Sequence, residues 1–323
     1  MRFTCIENGN LIKKSVPVLF TSLPSNSDEF PWMDYSAFFF EEWVCLSPIL
    51  CSRGVLSFRI VYFRSMIRLI SYNVNGIRSA LNKGLKEWLA EAGPEILCLQ
   101  EIKAEPGQLD ERMFHEMGYE TYWFPAKKKG YSGTAIFTKI PPKQVEFGCG
   151  MEEYDYEGRV IRADFEGFSV MSVYFPSGTT GEERQNVKYR FMDDFRRYVD
   201  LLRKSIPNLI IMGDVNICHL PIDIHDPVSN KNSTGFLPEE RAWLDGFIKS
   251  GMVDTFREFH KEPHQYSWWS YRAASRERNK GWRIDYALAS EPLRPYLKNA
   301  GLMPEAKHSD HCPVMLELDF SYL

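Results

Sequence analysis

Apolar residues recur along this chain in short runs, and many of those runs end on carboxylates, amides or a tyrosine. From Met66 onward, runs of strand length lie at 67–72, 96–100, 134–138, 168–175, 208–213, 283–289 and 313–319. Stretches with helical spacing lie between several of them. Gly84 to Ala92 is one. From Arg184 to Lys204, Val187, Phe191, Phe195, Val199 and Leu202 recur every three or four residues, which predicts an amphipathic helix. Pro238 to Ser250 opens with Pro-Glu-Glu, a first turn that suits the positive end of a helix dipole. Many strands with interleaved helices predict an α/β layered domain.

Residues 1–65 read differently, with Phe-Phe-Phe at 38–40, several prolines and no sustained period. They are expected to be a poorly ordered extension or a mis-called start, with Met66 as a candidate initiator; a cap packed on the domain is the alternative. A domain spanning 66–323 has ample length for a hydrophobic core.

The positions of the polar strand ends carry the first chemical information. Asn73 and Asn75 close the run beginning at Ile67, Glu101 follows 95–100, and Tyr174 closes the run through Val173. Asp214 follows Leu209–Gly213, and Asp310 and His311 precede Pro313-Val-Met-Leu. A rigid strand holds such a residue while its tip reaches the surface. Several meeting at one edge make a cluster of oxygen ligands suited to a hard divalent cation such as Mg²⁺. Zinc calls for His and Cys at motif spacings, which are missing. Taken singly, each feature has an ordinary reading: a solvated strand end, an Asx turn at Asp214, a loop with a capping Asp at Asp310. Taken jointly, the ordinary reading needs five coincidences.

Composition changes this picture little. Hydrophobic residues make up 44% and charged residues 25%, as in soluble globular proteins. No apolar run approaches the roughly 20 residues that span a bilayer, so no membrane partner is expected. The net charge of −4 does not advertise a polyanion partner, so a nucleic-acid enzyme would need local basic patches. Seven cysteines, an odd number without a CxxC pair, suit free thiols in a reducing, cytoplasmic compartment.

The segments SYNVNGIRSA, LQEIK, GYSGTAIFTK, YFPSG, GDVNICH, GWRIDYALAS and HSDHCPV occur in an order that resembles the exonuclease III and AP endonuclease family. The resemblance runs from Met66 to about Phe320 and is closest to bacterial exodeoxyribonuclease III. It implies a four-layer αββα sandwich, two packed mixed β-sheets flanked by helices. It implies a monomeric, nucleoid-associated repair nuclease acting on double-stranded DNA. Such an enzyme incises 5′ of abasic sites, or removes nucleotides and blocking groups from damaged 3′ ends, by metal-assisted attack of water. The cofactor implied is Mg²⁺, with Mn²⁺ as a substitute.

Residue by residue, the resemblance makes Glu101 the principal metal ligand, with Asn75 and Asp310 near the cation. It gives Asp214 the attacking water, with Asn216 and Asn73 holding that carboxylate and the phosphate. His311 would donate to a phosphate oxygen, kept protonated by Asp285, and Tyr174 would contact the phosphate. Trp268, Trp282 and Ile284 would line a pocket for a flipped-out sugar without a base. Asn230 would touch the target phosphate; Arg78, Arg272 and Lys127–Lys129 would meet backbone phosphates on either side. A charge run is ordinarily a solvated loop, and dense tryptophan is ordinarily core. Ser177 stands where many relatives carry asparagine, and Asn75 where some carry Asp. Rival readings are a lipid or inositol phosphatase or an RNA deadenylase of the same superfamily, and a regulatory nucleic-acid-binding protein that kept the fold and lost the chemistry. The last would have broken at least one of Glu101, Asp214, Asn216, Asp285, Asp310 or His311, and all are intact.

Overall fold

The structure, a computed structural model, describes residues 66–320 in full, and the backbone alone of 2–7, 10–15, 36–39, 42–50 and 56–63. The chain divides into two units, Met1–Met66 with Phe320–Leu323, and Ile67–Asp319. In the first, Arg2–Glu7 pairs with Asn10–Ser15, and Ser36–Phe39, Glu42–Leu50 and Leu56–Phe63 form an antiparallel sheet. The other residues of 1–65, and with them the expectation of a poorly ordered extension, lie outside the described residues.

Two six-stranded mixed sheets form the second unit. One runs in the order Leu297–Leu302, Val314–Asp319, Met66–Asn73, Ile96–Gln100, Thr134–Thr138, Glu120–Phe124. The other runs Gln144–Phe147, Val160–Asp164, Ser169–Tyr174, Leu209–Asp214, Asp285–Ser290, Met252–Asp254. Met66–Asn73 pairs in parallel with Ile96–Gln100, and Ser169–Tyr174 with Leu209–Asp214; two helices lie in the first connection and one in the second.

Each sheet carries its own helices. Leu85 and Leu89 of helix Leu85–Ala92, with Ile77 and Phe114, cover Ile70, Tyr72, Leu97 and Leu99. Helix Glu182–Leu202 buries Phe191, Phe195 and Val199, four residues apart, against Val173, Leu209 and Ile211. Helix Pro238–Lys249 adds Leu244 and Phe247. The expected stripe holds except at its start, where the buried position belongs to Lys188 and Val187 is half-buried. Lys188 is tolerated there because Glu240 takes its ammonium at 2.6 Å, with both side chains fully buried.

Between the sheets, Gln100 Nε2 donates to Ser172 Oγ at 3.0 Å, and that hydroxyl donates to Leu99 O at 3.1 Å. The layers therefore run helix, sheet, sheet, helix, as the resemblance implies. Gly213 permits the closest strand approach: a Cβ there would lie 1.9 Å from Val173 O, with φ at +149°. That contact brings the strands of Tyr174 and Asp214 together.

Candidate active site

Strand alternation selects the side chains that reach the cleft between the sheets. Ile70 and Tyr72 pack under helices, so Ser71 and Asn73 face inward. Leu209 and Ile211 do likewise, which turns Asp214 inward; Tyr286 and Leu288 leave Asp285 inward, and Val173 leaves Tyr174 inward. Tyr174 is level with Asp214 across one strand pair, and Asp214 with Asp285 across the next. Just beyond the strands the backbone turns left-handed at Asn75, Glu101, Lys103 and Asn216, with φ of 46°, 48°, 50° and 56°. Asparagine tolerates that region; a glutamate or lysine there costs of order 1 kcal/mol or more and marks a side chain aimed by its surroundings.

Asn73 joins the two sheets chemically. Its Nδ2 donates to Glu101 Oε1 and to Asp214 Oδ2, each at 2.9 Å, and its Oδ1 accepts from Asn75 N at 3.0 Å. Expected to hold both Asp214 and the phosphate, Asn73 is fully buried and commits both amide protons to carboxylates, Asp214 among them. It fixes the distance between them. Asn216 works on the other side: its N–H donates to Asp214 Oδ1 at 2.8 Å, and its Nδ2 to Asp214 Oδ2 at 3.2 Å and Phe175 O at 3.0 Å. Asn75 Nδ2 donates to Asp310 Oδ1 at 2.9 Å, and Lys103 lies 2.5 Å from Asn75 Oδ1 and 2.7 Å from Glu101 Oε2.

Asp285, His311 and Asp214 form a row. His311 Nδ1 lies 2.9 and 3.1 Å from the two Asp285 oxygens, while its Nε2 stands 4.0 Å from Asp214 Oδ2. Ser267 Oγ donates to Asp285 Oδ2 at 2.6 Å and accepts from the N–H groups of Ile284 and Asp285, which locks the carboxylate.

These environments separate the proton affinities. Burial works against the charge of His311, but Asp285, followed by Asp214 and Asp310, together outweigh it and carry the imidazole up to about 10. Asp214 is pushed up to about 8, first by burial and then by Asp285 and Glu101, against the pull of His311 and the Asn216 N–H. Glu101 and Asp310 stay below the usual carboxylate range despite burial, the first through Lys103 and Asn73, the second through His311, Asn75 and Trp268. Burial, then Glu101 and Asp214, drives the Tyr174 phenol well up, so it is a neutral donor at ordinary pH. One cleft therefore holds a charged imidazole, a basic carboxylate and two acidic ones.

Aromatic side chains wall one flank. Trp268 and Trp282 meet edge to face with centroids 6.1 Å apart, packed on Ile284, Phe236, Ile224 and Cys218. Trp268 Nε1 donates to Asp310 Oδ2 at 3.0 Å. The wall and the acidic cluster thus share one carboxylate.

Residues 70–311 match the Endonuclease/Exonuclease/phosphatase family. An exodeoxyribonuclease of Bacillus subtilis is 43% identical over 252 residues, covering 77% of this chain and 98% of that protein. A DNA-(apurinic or apyrimidinic site) endonuclease of Dictyostelium discoideum is 36% identical over 261 residues, 80% of this chain and 72% of the other. Among solved structures, an AP endonuclease from Archaeoglobus fulgidus superposes with a TM-score of 0.71 at 31% identity, over 78% of this chain and 99% of that one. The chain belongs to the Endonuclease/Exonuclease/phosphatase family. A 3′ phosphatase from Neisseria bound to a product DNA hairpin, with a TM-score of 0.73 at 29% identity, shares the fold over 78% of this chain and 99% of its own.

Within this family framework the sequence-derived residues fall into two groups. Asn73, Asn75, Glu101, Tyr174, Asp214, Asn216, Asp285, Asp310 and His311 converge on the cleft, with Trp268, Trp282 and Ile284 beside it. Arg78, Arg272 and Lys127–Lys129 are exposed and outside the cluster. Asn230 turns its amide into its own loop, donating to His225 O at 3.2 Å and Asp226 O at 2.9 Å. Ser177 is occupied by Thr179, 3.0 Å away.

Four participants were not foreseen. Lys103 stood in plain view two residues after Glu101, and Phe236 next to Gly235. Ser267, beside Trp268, carried no pattern of its own. Arg159, whose guanidinium lies 4.9 Å over the Tyr174 ring and donates to Tyr174 O at 2.7 Å, needed the sheet pairing to be found. Cys98, Cys218 and Cys312 are buried free thiols and Cys149 is a half-buried one. The side chains of Cys5, Cys45 and Cys51 lie outside the described residues.

Proposed function

We propose that this chain is a DNA repair nuclease that hydrolyses phosphodiesters, incising duplex DNA 5′ of abasic sites and trimming damaged 3′ ends. The observation that carries the reading is Asp310, whose carboxylate is bonded at once to Asn75 in the acidic cluster and to Trp268 in the aromatic wall. A nucleotide whose sugar enters beside Trp268, Trp282, Ile284 and Phe236 would present its 5′ phosphate to the carboxylates. Extrusion is cheapest where base pairing and stacking are already lost, which favours abasic sites. Arg78, Arg272 and Lys127–Lys129 are exposed and would meet phosphates along the duplex. The protein acts as a monomer in this reading. The free thiols suit a reducing cytoplasm.

The donor set fits a hard divalent cation. One carboxylate oxygen each from Glu101 and Asp214, and a ring nitrogen of His311, lie within 4.8 Å of one another. His311 is withdrawn from that set by the proton that Asp285 keeps on it, which leaves oxygen donors. Glu101 and Asp310, with Asn75, would hold Mg²⁺, Mn²⁺ being an alternative. When bound, the ion supplies charge neutralisation at the phosphoryl oxygens and the departing 3′-oxygen.

The side chains account for the rest. Asp214, held by three N–H donors and pushed up to about 8 by burial, Asp285 and Glu101, takes the proton of the attacking water. His311 and Tyr174 donate to the phosphoryl oxygens as charge gathers there. Replacing Glu101 by glutamine keeps the shape and removes the charge. Incision assays across a Mg²⁺ titration should then need about tenfold more metal for half-maximal rate. An unchanged requirement would remove Glu101 from the ligand set.

A further inference from the structure

Residues 303–313 connect two neighbouring antiparallel strands and carry Asp310 and His311 at their far end. An irregular connection leaves backbone carbonyls without ladder partners. Four of these are met by two cations. Arg276 Nη1 donates to Ser309 O at 2.9 Å, and its Nη2 to Pro304 O at 2.8 Å and Ala306 O at 2.6 Å. Lys83 Nζ donates to His308 O at 3.2 Å.

Both cations also touch the loop 269–280. Arg276 belongs to it and lies 4.7 Å over the Trp269 ring; Lys83 lies 5.9 Å from the centre of the Tyr271 ring. Trp269 is itself fastened at both ends, its backbone N–H to Asp310 O at 3.0 Å and its indole N–H to Asn279 Oδ1 at 3.1 Å. The outer face of the same loop presents Tyr271, 66% exposed, and Arg272.

We propose that Arg276 is a positioning residue for the reaction: it clamps the carbonyls before Asp310 and His311, and ties that pair to the DNA-facing loop. Only a planar fork with several donors serves three carbonyls at once, which is why arginine stands here and the single-contact position carries lysine. The carbonyls it gathers come from both ends of the segment 304–309. Without it the segment is free to shift, and Asp310 and His311 shift with it. Because Asp310 reaches both Asn75 and Trp268, a displacement there disturbs the carboxylate cluster and the aromatic wall together. The proposal rests on the nuclease reading above.

Arg276→Met keeps the aliphatic stem on Trp269 and removes every donor; Arg276→Lys restores donors without the fork. Arg278→Ala removes a neighbouring exposed charge of the same loop. On a duplex with one abasic-site analogue, Arg276→Met should lower kcat by ~10–10²-fold, the scale of a misplacement near 1 Å, with KM changed less than about threefold. Arg276→Lys should recover part of kcat, and Arg278→Ala should leave kcat unchanged. A raised KM at unchanged kcat would make Arg276 a plain DNA contact. A loss of kcat that tracks a falling Tm and is not recovered by lysine would make it a plain structural residue. Either result overturns the proposal. Amide hydrogen exchange at residues 305–311 needs no substrate: it should quicken in Arg276→Met and slow again in Arg276→Lys, and unchanged exchange sinks the clamp. That readout separates failure of the clamp from failure of the nuclease reading, which a wild-type protein that leaves the duplex intact would signal.

Discussion

Asp214→Asn lowers turnover on abasic-site DNA by at least ~10²-fold, about 2.7 kcal/mol of transition-state stabilisation, and leaves DNA affinity and folding unchanged. The size follows from what the carboxylate is asked to do. Ordinary aspartate is too weak a base to take a proton from water near neutral pH; burial beside Asp285 and Glu101 makes Asp214 a far stronger one. Asparagine is isosteric and still accepts one N–H from Asn216 or Asn73, so the fold survives. It cannot take a proton. DNA affinity is spared because the phosphate contacts fall to other groups. Single-turnover rates and a binding titration check both halves. Near wild-type turnover would remove Asp214 from the mechanism.

The second large effect belongs to Asp285→Asn, and its signature is a pH dependence. In the folded protein His311 is raised from 6.5 to about 10: burial opposes, and Asp285, with Asp214 and Asp310 behind it, together overcome it. A raised affinity means the protonated form, and the stability it brings, is fully present below about 6.5 and is lost as pH rises through about 10. With Asp285 neutral, burial acts with less opposition and His311 gives up its proton lower on the scale. The ratio of wild-type to variant kcat should therefore grow from pH 6.5 to pH 10, reaching at least ~10²-fold, and shrink at the acid end. A ratio that is flat with pH would mean that Asp285 does not set the charge of His311.

Most of the interior of this fold was legible in the sequence, and the edges of its two six-stranded sheets were not. All seven apolar runs became strands, and the three periodic stretches became helices. Within the two six-stranded sheets, the strands that went unread were Glu120–Phe124, Gln144–Phe147, Val160–Asp164, Met252–Asp254 and Leu297–Leu302. Four of these are the outermost strands of the two sheets. An edge strand pairs on one side and faces water with part of its surface, as the mixed burial of Gln144–Phe147 and Leu297–Leu302 does, so its apolar pattern fades. Met252–Asp254 is simply too short to carry a period.

The site divides along a similar line. Residues at the ends of central strands were readable because a polar side chain after a buried run is itself a signal. Asn73 shows the limit: its position was legible, but that its amide bridges Glu101 and Asp214 depends on two strands from different sheets meeting. Arg276 and Ser267 lie in irregular segments, where neighbours in space are far apart in sequence and no period points to them.

The central claim is best tested by offering the wild-type protein a duplex oligonucleotide with one abasic-site analogue, in Mg²⁺ and in EDTA. The account predicts a single cut immediately 5′ of the analogue in Mg²⁺ and none in EDTA. An intact duplex with folded protein and Mg²⁺ present, or a cut that persists in EDTA, would contradict it.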